Sequence, residues 1–167
     1  MKTDEQIRKI DSDGLLLCKL QAESFEASFE STKMSSEIFI RRFMNSQIAI
    51  YMDSTDFLQM NLQAKDVIDR VEEEYGVSSY GSIKYSKNEL YWIGYVYRFF
   101  SFTYELSTLQ VYKLVKPKEL RELFLPYHTM DPSQAIERIL EAKGLFQNEE
   151  KELQRQFEIY KKIRFII

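Results

Sequence analysis

Apolar side chains recur every three or four residues along most of this chain, which is the spacing of one face of an α-helix. In the first half, the spacing predicts helices over residues 15–31, 37–53 and 64–75. Gly76 is expected to end the third helix, since glycine accepts the backbone conformation found just after a helix. Residues 77–85, rich in serine and glycine, are predicted to form a turn-rich loop or a short strand.

Two capping boxes indicate where helices begin in the second half. Ser86 with Glu89, and Ser107 with Gln110, have the spacing at which each side chain bonds the other residue's backbone N–H. A serine at 35 or 36 is expected to cap the helix over 37–53 in the same way. The helices predicted in the second half cover residues 87–105, 108–116, 117–125, 132–144 and 145–167.

Proline marks further boundaries. Pro117 and Pro132 suit the first turn of a helix, where the missing N–H costs nothing, and Asp131 precedes the second of them as a cap. Pro126 is expected to close the helix that begins at Pro117.

These patterns predict an all-α protein, a single-domain bundle of seven or eight helices over residues 1–167. A length of 167 residues fits one domain, and only five glycines and three prolines interrupt the chain. No internal repeat and no low-complexity linker divides it.

The helix predicted over about 87–105 carries eight aromatic side chains within residues 90–104. A helix that is apolar on nearly all sides is typical of the centre of a helical protein. Gly94 is expected to let another backbone approach closely. The run is shorter than the ~20 residues that span a bilayer, and it contains Arg98, so a membrane span is not expected. A base-stacking platform would need a basic groove, which this helix does not supply.

Arg98 needs acceptors if it is buried on such a helix. Structural pairing with Glu30, Glu105 or Glu122 is one interpretation, and the sequence does not choose among them. The other interpretation places Arg98 at the rim of a cleft beside Tyr95, where a small-molecule enzyme or sensor would bind its ligand.

Charge and cysteine content bear on whether the protein binds DNA and on whether it has a reactive thiol. The net charge is −3; residues 1–85 hold 10 Lys and Arg against 15 Asp and Glu, and residues 86–167 hold 13 against 11. This balance does not give the basic surface that non-specific DNA binding requires. Cys18, the only cysteine, lies among leucines and is expected to be a buried, inert thiol. The N-terminus lacks the apolar segment of a signal peptide, which predicts a cytoplasmic protein.

No motif for metal, cofactor or phosphate binding is recognisable, so we expect no catalytic residue, no metal and no cofactor. His128, the only histidine, lies in a connection between two helices. It is predicted to hydrogen-bond locally, to Asp131, or to form a recognition contact with Tyr127 and Asp131. A general-base role is the third interpretation.

Two further stretches are candidate contacts with a partner. In the amphipathic C-terminal helix over 145–167, apolar residues repeat with coiled-coil-like spacing. This seam either packs on its own domain or contacts a second protein or a second copy of the chain. It consists of Leu153, Phe157, Tyr160, Ile163 and Ile167.

Arg41 and Arg42 are adjacent, so helical geometry should expose at least one of them. In one interpretation they form an intramolecular salt bridge. In the other, Arg41 or Arg42 binds an acidic partner or a phosphate.

A helix-turn-helix is the DNA-binding alternative. The helices over 86–105 and 107–116 are joined by a tight turn, as in that motif, although the first is long and apolar for it. Thr108, Gln110 and Lys113 would then face the DNA groove. Lys116, Lys118 and Arg121 would contact phosphates.

The segments LQAESFEASFESTKMSSEIFIRRFMNS and YGSIKYSKNELYWIGYVYRFFSFTYELSTLQVYKLVKPKELRELFLPYHTMDPSQAIERIL resemble a family of small bacterial proteins frequent in Firmicutes. The resemblance covers about residues 18 to 143. The family is associated with toxin–antitoxin-like gene clusters, beside an ADP-ribosyltransferase-like toxin. The resemblance therefore implies an antitoxin or accessory role, in which the protein binds a toxin and occludes its cleft. It assigns no functional residue.

Overall fold

The computed structural model describes residues 6–145, 157–159 and 161. Within residues 6–145 it forms eight α-helices and one 3-10 helix, and none of the described residues is in a strand. The predicted all-α, single-domain class is confirmed. The helices are α1 (Ser12–Ser31), α2 (Ser36–Met44), α3 (Gln47–Met52), the 3-10 helix η1 (Thr55–Met60), α4 (Ala64–Tyr75), α5 (Lys87–Tyr104), α6 (Thr108–Leu114), α7 (Pro117–Tyr127) and α8 (Pro132–Ala142).

The predicted count of seven or eight helices is too low, because a predicted helix is divided and a predicted connector is helical. The helix expected over 37–53 breaks at Asn45 and Ser46, and the Ser46 hydroxyl caps α3 by accepting the Ala49 N–H at 3.2 Å. The connector before α4 winds into η1, capped by Ser54. Serine favours such starts because its hydroxyl replaces a missing backbone acceptor.

The predicted capping boxes are confirmed. Ser86 and Glu89 bond each other's backbone at the start of α5, at 2.9 and 3.1 Å. Ser107 and Gln110 do the same at the start of α6. Ser35 caps α2.

The remaining helix boundaries agree with the sequence signals at some positions and differ at others. Pro126 does not close α7, which continues to Tyr127; one missing N–H in the last turn does not stop a helix that is nearly complete. The Asp131 cap and the first-turn prolines of α7 and α8 are confirmed. The helix α1 starts earlier than expected, at Ser12, because the Asp11 carboxylate accepts the Gly14 N–H at 2.8 Å.

Helix α5 is the centre of the hydrophobic core, as predicted. From Trp92 to Tyr104 every one of its residues is buried except Tyr95. None of the helices in the described residues combines the length and the apolar character that crossing a bilayer requires.

The long helix α1 lies directly against α5. At Gly94 an added Cβ would stand 2.9 Å from the Gln21 carbonyl oxygen and 3.0 Å from the Ala22 Cα, so this glycine permits the close approach that the sequence suggested. Cys18 is fully buried on α1, and burial raises the pKa of its thiol to about 12. The expected inert thiol is thereby explained.

The irregular segment between α4 and α5 is tied to the start of α2. The Ser35 and Ser36 N–H groups donate to the carbonyls of Tyr80 and Ile83, both at 3.0 Å. Tyr85 then donates its N–H to the Ser36 hydroxyl and its own hydroxyl to Glu37. These bonds fix the entry of the chain into α5.

Candidate functional site

A stripe of aromatic rings on α5 is only partly covered by other helices. Tyr91, Tyr95 and Phe99 follow at intervals of four residues, so they stand one above the other on one face. Their rings stack with centroids 6.4 Å apart at both steps. Tyr91 and Tyr95 are half-buried, whereas Phe99 is 7% exposed. The stripe forms the floor of a surface groove between α5 and the start of α8.

One end of the groove, which we call the aromatic cleft, has a volume of about 540 Å³. Its second wall consists of Trp92, Phe124 and His128: Phe124 packs edge-on against Trp92 at 5.9 Å and stacks on the His128 ring at 4.4 Å. Among the described residues, no lysine or arginine lines it, and one carboxylate does. The lining residues are Glu26, Asn88, Tyr91, Trp92, Tyr95, Phe124, His128, Met130 and Pro132.

The groove continues beyond Tyr95 and Pro132, which also line a second cleft of about 660 Å³. This second part has apolar walls and both signs of charge at its rim. Its other lining residues are Ile7, Arg8, Lys9, Ile10, Leu15, Phe99, Thr103, Tyr104, Asp131, Ser133 and Glu137. Together the two clefts form an extended groove, and aromatic side chains predominate at the end that contains Glu26.

The electrostatics of the groove keep its phenols neutral. Burial raises the pKa of Tyr91, and the carboxylates of Glu23 and Glu26 raise it further. Burial also raises the pKa of Tyr95, and Asp131 adds to this effect. Nearby carboxylates therefore make the aromatic cleft a region of negative potential.

The groove brings together three of the residues singled out in the sequence: Tyr95, His128 and Asp131. The predicted local hydrogen bond of His128 is confirmed, but Asp131 is the wrong partner. At the C-terminal end of α7, His128 Nδ1 bonds the Phe124 carbonyl at 2.7 Å, and that carbonyl also accepts the His128 backbone N–H. The Asp131 carboxylate instead accepts from the Ser133 N–H and hydroxyl at the start of α8. Tyr127 packs partly buried on the core and does not line the groove.

Arg98 does not share a cleft with Tyr95, so the predicted cleft of these two residues is wrong. Its side chain is 2% exposed, and its NH1 group lies 2.8 Å from the Asp53 carboxylate. Nε donates to Gln21 and NH2 to Thr108, both at 2.8 Å. Arg98 borders a different cavity, of about 470 Å³, on the side of α5 that meets Asp53 and the α5–α6 turn.

The partner of Arg98 is therefore Asp53, and none of the three glutamates expected from the sequence. Burial lowers the pKa of Arg98, and the Asp53 charge opposes that shift. The guanidinium connects α1, the end of α3, α5 and the start of α6, so its role is to hold helices together.

The helix-turn-helix prediction fails at its first contact residue. Thr108 is 2% exposed, and its hydroxyl donates to Asp53 at 2.6 Å, so it cannot face DNA. Arg121 does not extend freely toward a phosphate either: its Nε lies 3.2 Å from Glu89 and its guanidinium covers the Tyr85 ring at 4.4 Å. The DNA-binding alternative thus loses two of its six contact residues, whereas Gln110, Lys113, Lys116 and Lys118 are exposed, so that alternative stays a prediction.

The paired arginines of α2 have different surroundings. Arg42 donates to the Gly76 carbonyl at 2.8 Å and lies over the Tyr75 ring at 5.6 Å, so a carbonyl and a ring hold it in place of the predicted salt bridge. Arg41 is exposed. Neither residue lines the groove.

The C-terminal seam falls almost entirely outside the described residues. Phe157 is 59% exposed within the short helical stretch that is described. Tyr160, Ile163 and Ile167 lie outside the described residues, as does most of the helix predicted over 145–167.

No group of three or more histidine, cysteine, aspartate or glutamate side chains that could hold a metal ion occurs among the described residues. Comparison with protein-family models, with curated proteins and with solved structures found no match to this chain.

The sequence analysis missed Trp92, Phe124 and Glu26 as residues of a site. The interval of four residues from Tyr91 to Phe99 was a usable signal for a common face. Nothing in the sequence indicated that this face, among all faces of an apolar helix, is the open one.

Proposed function

We propose that this protein is a protein-binding module with an antitoxin-like role, and that it neutralises a partner toxin by covering the toxin's cleft. The observation that carries the proposal is the groove along α5. Two tyrosines remain half-exposed there, on a helix that is buried over most of its length and begins at a capping box. The antitoxin role itself follows the family resemblance.

The groove has the properties of a protein-recognition surface. Tyrosine and tryptophan are enriched among the residues that dominate binding energies, since they bury a large rigid area and carry one polar group. Side chains fixed on a helix lose little conformational freedom when a partner binds. Tyr91, Trp92 and Tyr95 meet both conditions.

Co-expression with the product of the adjacent gene tests the proposal. We expect the two proteins to co-purify as one complex and the present protein to restore growth that the partner inhibits. The double variant Tyr91→Ala/Tyr95→Ala should weaken the complex about 100-fold, because two aromatic contacts of the hot-spot class are lost. Binding is measured by calorimetry on purified proteins.

Tyr51→Ala is the matched control, since Tyr51 is a tyrosine on α3 that is 47% exposed and does not line the groove. It should change the affinity less than about threefold. Circular dichroism must show that all variants keep the wild-type helix content. The proposal is overturned if the wild-type protein neither binds the adjacent gene product nor restores growth. If the groove variant and Tyr51→Ala lose the same affinity, the groove is not part of the interface.

A further inference from the structure

We infer that the aromatic cleft receives a cationic side chain, lysine or arginine, from the partner protein. The inference rests on the proposed function in one respect, namely that the cation belongs to a protein. It is based on the aromatic rings that line the cleft and on the charges around it.

The rings form two walls of different orientation. Tyr91 and Tyr95 stack nearly parallel, with 22° between their planes, whereas Trp92 and Phe124 meet at 71°. The faces of aromatic rings carry negative potential, so a cation held among several faces is attracted by each. The neutral phenols and the nearby Glu26 carboxylate add to this potential.

The chain itself shows what cation–ring sites in this protein look like. Arg121 covers the Tyr85 ring at 4.4 Å while it pairs with Glu89. Arg8 covers the Phe102 ring at 4.1 Å and lies 3.5 Å from a carboxylate oxygen of Asp11. In both places a ring and a carboxylate hold one guanidinium.

The aromatic cleft has the rings and the carboxylate, and no cation of the described residues lines it. Lys87 is close enough to Glu26 for the carboxylate to raise its pKa, but the larger causes of that shift are the hydrogen bond to Glu30 and the charge of Glu30. Lys87 also lies 5.8 Å from the Phe29 ring. Lys87 is thus engaged elsewhere, and the cleft is complementary to a cation supplied from outside.

The indole N–H of Trp92 has no hydrogen-bond acceptor among the described residues, although the side chain is only 8% exposed. The nitrogen itself is buried, so it is not one of the atoms that the cleft presents to a ligand. Trp92 is also the only tryptophan of the chain, so its fluorescence and its indole N–H resonance report on this cleft alone.

The test titrates the full-length protein with pairs of small molecules, one cationic and one neutral, that otherwise resemble each other. Nα-acetyl-arginine amide is titrated against ¹⁵N-labelled protein, and Nα-acetyl-citrulline amide, its neutral isostere, is titrated in parallel. We expect the arginine compound to shift the Trp92 indole resonance and to bind about fivefold more tightly than the citrulline compound. The pair Nα-acetyl-lysine amide and Nα-acetyl-norleucine amide repeats the comparison for lysine.

Two variants, each of which lacks one carboxylate, show whether the preference for a cation arises in the aromatic cleft. Glu26→Gln should reduce the preference for arginine over citrulline to less than twofold. Asp69→Asn, which removes the same charge from an exposed position on α4, should leave the preference unchanged. Both positions are on helix surfaces, so both variants are expected to fold. Equal binding of the charged and neutral compounds overturns the inference, as does an equal effect of the two variants.

The outcomes separate this inference from the proposed function. If the adjacent gene product binds but neither cationic compound is preferred, the partner uses the groove without a cation in the cleft, and the inference is wrong. If the cationic compounds are preferred but no protein partner binds, the protein-binding function and the protein source of the cation are both wrong, and the cleft is a site for a free organic cation.

Discussion

At the scale of single residues, Arg98 illustrates how one buried charge organises its surroundings. Burying a guanidinium is costly unless a carboxylate and further acceptors satisfy it. Asp53 supplies the charge, and Gln21 and Thr108 supply acceptors on two other helices. Asp53 also accepts the backbone N–H of Thr108 at 3.1 Å. One carboxylate therefore both bonds the first turn of α6 and neutralises the Arg98 charge on α5.

Asp53→Ala should therefore destabilise the protein more than a surface substitution does. The variant leaves the Arg98 guanidinium buried without its counter-charge, and we expect the free energy of unfolding to fall by about 2–3 kcal/mol. This is below the usual cost of breaking a buried pair, since the Asp53 side chain is 24% exposed and water replaces part of the interaction. Urea denaturation followed by circular dichroism measures the change.

Asp56→Ala is the control for that variant, because Asp56 is an exposed aspartate three residues further on. Its effect should stay within about 0.5 kcal/mol. If both variants lose the same stability, Asp53 does not carry the structural role that its contacts indicate.

At the scale of elements, the contact between α1 and α5 determines how closely the central helices pack. Gly94 lacks a side chain where the backbone of α1 crosses, at Gln21 and Ala22. The Gln21 amide also donates to the Gly94 carbonyl at 3.1 Å, so a hydrogen bond adds to the packing at the crossing point. Glycine lowers helix propensity by about 1 kcal/mol relative to alanine, and the close approach of the helices offsets that cost.

Gly94→Ala should accordingly destabilise the protein although it improves helix propensity. The new methyl group would meet backbone atoms that cannot move independently, and overpacking of this kind costs about 1–3 kcal/mol. Thermal unfolding should show a fall in Tm of about 2–12 °C for a chain of this length.

Asn88→Ala, an exposed substitution in the first turn of the same helix, is the comparison. It should change the stability by no more than about 0.5 kcal/mol. A Gly94→Ala variant as stable as Asn88→Ala would show that α1 and α5 can separate at little cost, contrary to the packing described above.

At the scale of the whole molecule, α5 is surrounded by α1, α6, α7 and α8, while its stripe of Tyr91 and Tyr95 stays accessible. The same helix is therefore the core of the fold and the floor of the proposed binding groove. A recognition surface placed on the most buried helix is rigid, which limits the entropy lost when a partner binds.

Hydrogen exchange should reveal this arrangement directly. Amides of α5 are expected to exchange only through global unfolding, because their opening would disrupt the entire core. Amides of η1 and of residues 76–85 should exchange through smaller openings, since those segments have few buried side chains. Mass spectrometry at increasing urea concentrations distinguishes the two classes, and exchange of α5 as early as residues 76–85 would contradict the assignment of α5 as the core.

The sequence by itself determined the features that depend on neighbouring residues. The capping boxes at Ser86 and Ser107 were predictable because each involves groups three residues apart, and the central position of α5 followed from its density of aromatic side chains. The close approach at Gly94 was predictable as well, since a glycine inside an apolar helix has few other uses.

Only the tertiary structure decided which residues far apart in the chain meet. Arg98 bonds Asp53 and Gln21 across separations of 45 and 77 residues, and no local spacing encodes such pairs. The open face of α5 was equally undetermined, because every face of this helix is apolar and only the positions of α7 and α8 leave Tyr91 and Tyr95 uncovered. Local bonds are set by the order of residues, whereas grooves are set by where packed helices fail to meet.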